Sequence, residues 1–353
     1  NDILISCSGS IGRVAVVSDG NDYVMVRSAA MVRPININPY YLMFALQSGQ
    51  LQIQMQKASK QTAQANLFLG AIQSLLVPVP PKAEAQRINR SAEQAISIFN
   101  EIEENRESAL RTILQAKAKI LDLAVRGKLV SQDPNDEPAS VLLERIRAEK
   151  EDLIKQGKIK RNKKGALIFK GEDNSYYQDL PENWVLCSIL NIAEVELGKT
   201  LDKKKNTGKF YPYLRSINVK WNDIDLSDLN QMRFESEEIE RYTVLKNDLL
   251  ICEGGDVGRC CVWQGEPILY QNALHRVRFY GSCNPYFFMY TQMWLESIGY
   301  LKSISNGVTI KHLTKNVLST ILFPLPPLAE QNRIVEAIET AFAQLDEIAN
   351  SMT

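Results

Sequence analysis

An internal repeat constrains this chain more than any other feature. Asn1 to Val17 align with Asn247 to Trp263 at an offset of 246, with eight identities in seventeen. The same offset carries Asn38-Pro-Tyr-Tyr41 onto Asn284-Pro-Tyr-Phe287. It also carries the run from Leu76 through Pro78, Pro80 and Pro81 to Ile88 onto that from Leu322 through Pro324, Pro326 and Pro327 to Ile334. One unit therefore occurs twice, and a local motif read in one copy is expected in the other.

Each copy opens strand-rich, with Asp2 to Ser6 and Asp248 to Cys252 as short apolar runs closed by glycine-containing turns. A helix follows, because Asn38-Pro39 and Asn284-Pro285 supply a capping side chain and a proline suited to the first helical position. The Pro-x-Pro-Pro segments at Pro78 and Pro324 can continue neither a ladder nor a helix, so each is expected to mark a domain exit. Beyond the first exit, Lys82 to Arg126 runs 45 residues without Gly or Pro, a rod of roughly 65–70 Å.

Along that rod Ile88, Ala95, Ile102, Ala109, Ala116 and Leu123 recur every seven residues. Ala92, Phe99, Ile113 and Ile120 fill the second heptad position, and Arg106 interrupts it. The register returns after Pro327 with Ile334, Ile338, Ala341, Leu345 and Ile348. This spacing predicts a coiled-coil seam between the two helices. The alternative is that each helix packs only on its own domain. Between the first helix and the second copy, Gly127 to Gln178 is polar, with an amphipathic helix over Ala139 to Gln156 and a basic tract from Lys158 to Lys164. The tract suits a phosphate backbone or a solvated loop.

A length of 353 residues accommodates two to three domains at about 150 residues each. Forty-one basic residues balance forty-one acidic ones, so any attraction to nucleic acid has to be local. No apolar run approaches the ~20 residues that span a bilayer. Cys7, Cys187, Cys252, Cys260, Cys261 and Cys283 form no C-x-x-C pair, and no secretory signal opens the chain, which predicts a reduced cytoplasmic protein. His275 and His312 are the only histidines, too few for a His-rich metal site. Because a strand begins at Asn1 itself, the chain is expected to open inside a domain.

Catalytic motifs are absent: there is no G-x-x-x-x-G-K-[ST] and no G-x-G-x-x-G after a strand. Gly9-Ser-Ile-Gly12 and Gly254-Gly-Asp-Val-Gly258 read as duplicated hairpin turns. The Asn-Pro-Tyr segments differ from the N-P-P-[YF] of adenine methyltransferases in having one proline. Positive charge clusters from Gly198 to Trp221, where Lys199, Lys203, Lys204, Lys205, Lys209, Arg215 and Lys220 face a single acid, Asp202, among Thr200, Tyr211, Tyr213 and Asn218. Lysines neutralise phosphates, whereas Arg and Asn can pair with base edges. Arg13 and Arg259 match one another after a Gly turn, and the pairs Gln271-Asn272, His275-Arg276 and Lys311-His312 complete the DNA-binding candidates. His275 also fits a satisfied strand residue.

The order of these parts, with Pro324 to Gln331 and its divergent copy Pro78 to Gln86, Leu121 to Val130, Glu137-Pro-Ala-Ser140 and Leu180-Pro-Glu-Asn-Trp184, resembles the specificity subunit of type I restriction-modification systems. The resemblance covers the whole chain. It implies an α+β fold in which two strand-rich target recognition domains are joined by long antiparallel coiled-coil spacer helices. Residues 1–81 would be the later part of the first recognition domain and 82–127 the long spacer helix. Residues 128–178 would be the linker, 179–327 the second recognition domain and 328–353 the start of a second spacer helix. About 68 residues of the first domain, including the counterpart of the Lys199 to Lys220 cluster, are then missing ahead of Asn1.

The resemblance further implies a non-catalytic subunit that reads a bipartite double-stranded DNA target. It would dock methyltransferase and restriction subunits, with S-adenosylmethionine, ATP and Mg in those partners, no cofactor in this chain and no membrane role. Ile88, Phe99, Ile102, Ile113, Ile120, Leu123, Ile334, Ile338 and Leu345 would form the helix seam and partner surface. Two other readings stay open: a fragment of a stand-alone adenine-N6 DNA methyltransferase, and a coiled-coil scaffold that does not bind DNA.

Overall fold

The computed structural model describes residues 1–59, 66–159, 177, 179–202, 206–305 and 312–352. It divides into two compact units, Asn1–Ala109 and Leu110–Thr353. In the first unit the strands β1 (Ile3–Ser6), β2 (Val14–Val16) and β3 (Ala29–Val32) form an antiparallel sheet of order β2-β1-β3. The strand alternation puts Ile3 and Ile5 wholly inside. They meet α1 (Pro39–Gln47), α2 (Gly49–Ala58) and α3 (Leu69–Gln73) through Leu42, Leu46, Leu51, Met55 and Ile72. Asn38 caps α1 as its sequence predicts, Oδ1 accepting from the Tyr40 and Tyr41 amides at 2.9 and 3.2 Å, with Pro39 in the first turn.

The long helix α4 spans Lys82–Val125, one residue short of the expected end. It stops because Gly127 takes φ +65° and returns the chain, the Lys128 amide donating to Leu123 O at 2.8 Å. A Cβ on Gly127 would lie 2.5 Å from the Pro181 ring. The linker then forms α5 (Ala139–Lys155), whose Ala139, Leu142, Leu143 and Ile146 are buried at helical spacing.

The second copy begins with β4 (Val185–Ser188), α6 (Ile189–Ile192) and β5 (Ala193–Leu197). Next come β6 (Lys209–Leu214), β7 (Val219–Lys220), β8 (Asp223–Ile224), β9 (Asn230–Phe234) and β10 (Thr243–Val244). The repeated portion supplies β11 (Leu249–Cys252), β12 (Cys260–Val262), β13 (Ile268–Tyr270), β14 (Leu274–Phe279) and α7 (Pro285–Ser297). It ends with α8 (Tyr300–Ile304), α9 (Lys315–Leu318), β15 (Leu322–Leu325) and α10 (Leu328–Ser351). Two four-stranded sheets result, β12-β11-β14-β5 and β10-β13-β6-β9. Strand β11 is buried on both faces, and α7 packs its Phe287, Phe288 and Trp294 into the same core.

The repeat holds in three dimensions, since β2-β1-β3 and β12-β11-β14 share order and direction. The copies diverge where the second depends on strands that precede Asn247. Ile268 to Tyr270 lie between β10 and β6, whereas the matching run in the first unit has no such neighbours and is exposed, Val24 completely.

Pro324 corrects the expected exit. Leu322–Leu325 is a strand paired antiparallel with Val185–Ser188, Pro324 opposite Leu186, because a two-stranded ribbon leaves each strand an unpaired side where a missing N–H costs nothing. In the first unit the counterpart run forms no ladder, and Leu76 and Val79 are exposed. The Glu330-Gln331 pair that follows is structural. Glu330 accepts from Trp184 Nε1 at 2.8 Å and from Gln132, while Gln331 accepts the Asn284 amide and donates to Pro326 O. Burial raises the Glu330 carboxyl above its ordinary value, which the Trp184 and Gln132 hydrogen bonds oppose.

The helix seam forms in part. In the second unit α4 and α10 run antiparallel, with Lys117 paired to Asp346 at 2.5 Å and set 5.0 Å from the Phe342 ring, while Gln132, past the end of α4, reaches Glu330 at the start of α10. Ile334 and Ile338 are fully buried, and Ile113, Ile120, Leu123 and Leu345 are half-buried. Ile88, Phe99 and Ile102 in the first unit are exposed, at 39%, 68% and 55%. Among the described residues the side-chain contacts of α10 with α4 fall on the part of α4 in the second unit.

Candidate nucleic-acid interface

Backbone hydrogen bonds gather the sequence-distant candidates at one end of the β12-β11-β14-β5 sheet. The Lys199 amide donates to Tyr270 O, the Asn272 amide returns to Lys199 O, and the Gln271 amide donates to Leu214 O, each at 3.0–3.1 Å. Arg259 Nη2 donates to Ser216 O at 2.9 Å, tying the Gly254–Gly258 turn to the loop after β6. The Glu253 amide donates to Ala273 O at 3.0 Å, and the Leu313 amide to Glu253 O at 2.7 Å. Thr200, Arg215, Arg259, Asn272 and His312 therefore share one rim, built on turns that the sheet holds rigidly.

Side-chain burial sorts these residues. Thr200 and His312 are exposed; Lys220 and Asn272 are half-buried. Arg215 and Arg259 are mostly covered, and each holds an aspartate at 2.7 Å, Asp228 and Asp256, whose own side chains are 71% exposed. A phosphate oxygen or base acceptor could displace such an exposed carboxylate at small cost, because surface ion pairs contribute only about 0–1 kcal/mol. Burial raises the Glu253 carboxyl above its ordinary value, and the nearby His312 opposes that shift. Lys203, Lys204, Lys205 and Lys311 lie outside the described residues.

Four of the expected DNA contacts are engaged in contacts inside the domain. Lys199, 4% exposed, lies between Glu235 and Glu238 over the Phe234 ring; burial disfavours its charge, but the two carboxylates outweigh that and hold its pKa above the ordinary value. Asn218 is 2% exposed, its amide donating to Asp225 O and Asp228 O and its oxygen accepting from the Arg215 amide. His275 is fully buried with Nε2 2.8 Å from Leu313 O. Arg276 donates to Arg241 O, Thr243 O and Glu194. All four bind one part of the domain to another, a role that composition cannot separate from DNA contact.

The stacked pair Phe210 and Arg233, 4.7 Å apart on β6 and β9 with Phe210 59% exposed, was not singled out by sequence. The signal was the strand alternation of Lys209-Phe210-Tyr211-Pro212-Tyr213, which sends Phe210 outward. The cysteines are buried and unpaired, and burial pushes the Cys261 and Cys283 thiols up to about 12. Among the described residues no group of three or more His, Cys, Asp and Glu could hold a metal ion.

Residues 1–112 and 181–351 match the type I restriction modification DNA specificity domain. The chain belongs to this family. It is similar to the type I restriction enzyme EcoAI specificity subunit of Escherichia coli, 34% identical over 232 residues that make up 63% of this chain and 38% of that protein. It is also similar to the EcoBI specificity subunit of Escherichia coli, 31% identical over 160 residues, 42% of this chain and 34% of that one. The chain thus spans about a third of the length of these relatives. In fold it resembles a chain of a type I restriction-modification assembly, with TM-score 0.64 and 17% identity, covering 99% of this chain and 76% of that one. It also resembles the HsdS subunit of Thermoanaerobacter tengcongensis, with TM-score 0.55 and 16% identity, covering 100% of this chain and 75% of that one.

In the first copy of the specificity domain the rim is rebuilt from matching atoms. The Cys7 amide donates to Ser28 O at 2.7 Å, the Leu67 amide to Cys7 O at 2.8 Å, and the Gly12 amide to Ser6 O at 2.9 Å. Arg13, the counterpart of Arg259, is exposed beside this turn, its amide donating to Ser6 Oγ at 2.9 Å.

Proposed function

We propose that this chain is a non-catalytic DNA-recognition and assembly subunit that reads a bipartite double-stranded target and docks methyltransferase and restriction subunits. The observation that carries this reading is the duplication of one turn-and-strand rim in a specificity-family chain that also bears a 44-residue helix. Two like readers on one chain suit two half-sites.

Residues 1–81 and 179–327 are taken as the recognition domains, 82–127 and 328–353 as spacer helices, and 128–178 as the linker. Thr200, Arg215, Lys220, Arg259 and Asn272 face DNA in the second copy and Arg13 in the first. Lys203, Lys204, Lys205 and Lys311 join them on charge alone. The exposed Ile88, Phe99 and Ile102 belong to a surface that a partner covers. S-adenosylmethionine, ATP and Mg are assigned to the partner subunits. The six unpaired cysteines fit a reducing, cytoplasmic setting, and among the described residues no helix is long and apolar enough to cross a membrane.

A binding selection from randomised duplex, run with the methyltransferase subunit present, tests this. An enriched sequence is expected, with affinity falling steeply as salt rises. S-adenosylmethionine binding by the chain alone would favour the stand-alone methyltransferase, and enrichment of no sequence would favour a scaffold.

A further inference from the structure

The two rims agree in backbone and differ at one tip. Each rim holds an isolated antiparallel bridge, Ser8 to Asn66 in the first copy and Gly254 to His312 in the second. In both, the next residue is a leucine whose amide donates back across the bridge, Leu67 to Cys7 O at 2.8 Å and Leu313 to Glu253 O at 2.7 Å. Both leucines are buried, at 2% and 0% exposure. A short helix then begins within two or three residues, at Leu69 in one copy and Lys315 in the other. On the opposite side of the bridge stands the turn fixed by left-handed glycines, Gly9 and Gly12 at φ +68° and +81°, Gly255 and Gly258 at +80° and +85°. The backbone at residues 66 and 312 is thus tied to the facing turn by the bridge and by the next amide, while the leucine beside each supplies the packing.

What differs is chemistry suited to reading. Asn66 is half-buried and His312 exposed. Each carries a donor and an acceptor in one rigid planar group, the arrangement that matches base edges: the Asn amide pairs with adenine N6 and N7, and a neutral imidazole presents one donor and one acceptor. A lysine or arginine here would serve equally well for phosphate, but neither copy uses one. Two sites with the same scaffold and different planar polar tips are what a chain needs to read two different half-sites with one fold. From this we infer that Asn66 and His312 are specificity-determining residues, each contacting a base edge in the half-site read by its own copy. The inference rests on the DNA-reading function proposed above.

The test is a selection from randomised duplex by the full chain with the methyltransferase subunit, comparing wild type with His312→Asn, His312→Gln and Asn66→His, thermal unfolding serving as the check on folding. The His312 variants are expected to change the preferred base at one position of one half-site, with discrimination there altered about 5- to 150-fold, and to leave the other half-site intact. Asn66→His is expected to act on that other half-site. A wild-type motif reproduced base for base by folded His312→Asn and His312→Gln would overturn the assignment while leaving the DNA-reading function standing. So would a uniform loss of affinity with a reduced salt slope, which marks a phosphate contact. No enriched motif for the wild type would overturn the function itself and this inference with it.

Discussion

Burial of His275 against the Leu313 carbonyl leaves one ring nitrogen to donate and the other, Nδ1, enclosed without a partner. Burial lowers its pKa from the ordinary 6.5, the Leu313 contact opposing, so the folded protein keeps the ring neutral where the unfolded chain would take up a proton. The stabilisation from the neutral ring is therefore fully present above about pH 6.5 and is lost as pH falls toward the lower folded value. Urea unfolding at pH 7.5 and pH 5.5 should show wild type losing more stability between the two than His275→Gln; equal losses would mean the ring is protonated in place. The same residue shows a limit of composition. His275 and His312 read alike in sequence, as polar residues beside a cation, yet one is enclosed and the other stands on the rim.

The helices separate periodicity from partnership. The heptads in α4 run evenly from Ile88 to Leu123, but packing against α10 is confined to the part that α10 reaches, and burial follows that contact instead of the repeat. Truncating Ile338, fully buried, to Ala should cost about 2–5 kcal/mol. Phe99→Ala, at a position 68% exposed, should stay within about 0.5 kcal/mol. Denaturant unfolding of the two variants decides this, and a large loss at Phe99 would show that this face is packed within the isolated chain. At this scale α4 was legible to within a residue at its end, because the absence of Gly and Pro and the glycine stop are local signals. The β15 strand was misread, because whether a proline tolerates a ladder depends on having an unpaired side.

For the molecule as a whole, the proposed spacer role makes a geometric prediction. Inserting one heptad into both α4 and α10 lengthens the rod by about 10 Å. That should widen the unread gap of the target by about three base pairs and leave both half-sites unchanged, as mapped by methylated positions in cells supplying the partner subunits. A gap of unchanged length would refute the spacer role.

The repeat, the caps at Asn38 and Asn284, the long helix and the specificity-family membership were all determined by sequence alone, since each rests on local spacing or on likeness between segments. The tertiary structure alone decided which members of the basic and polar clusters are available. Lys199, Asn218, His275 and Arg276 are spent on internal carboxylates and carbonyls, whereas Thr200, Asn272 and His312 stand on the rim. The physical reason is that burial and pairing depend on residues 10 to 82 positions away: Glu235 for Lys199, Asp228 for Asn218, Leu313 for His275 and Glu194 for Arg276.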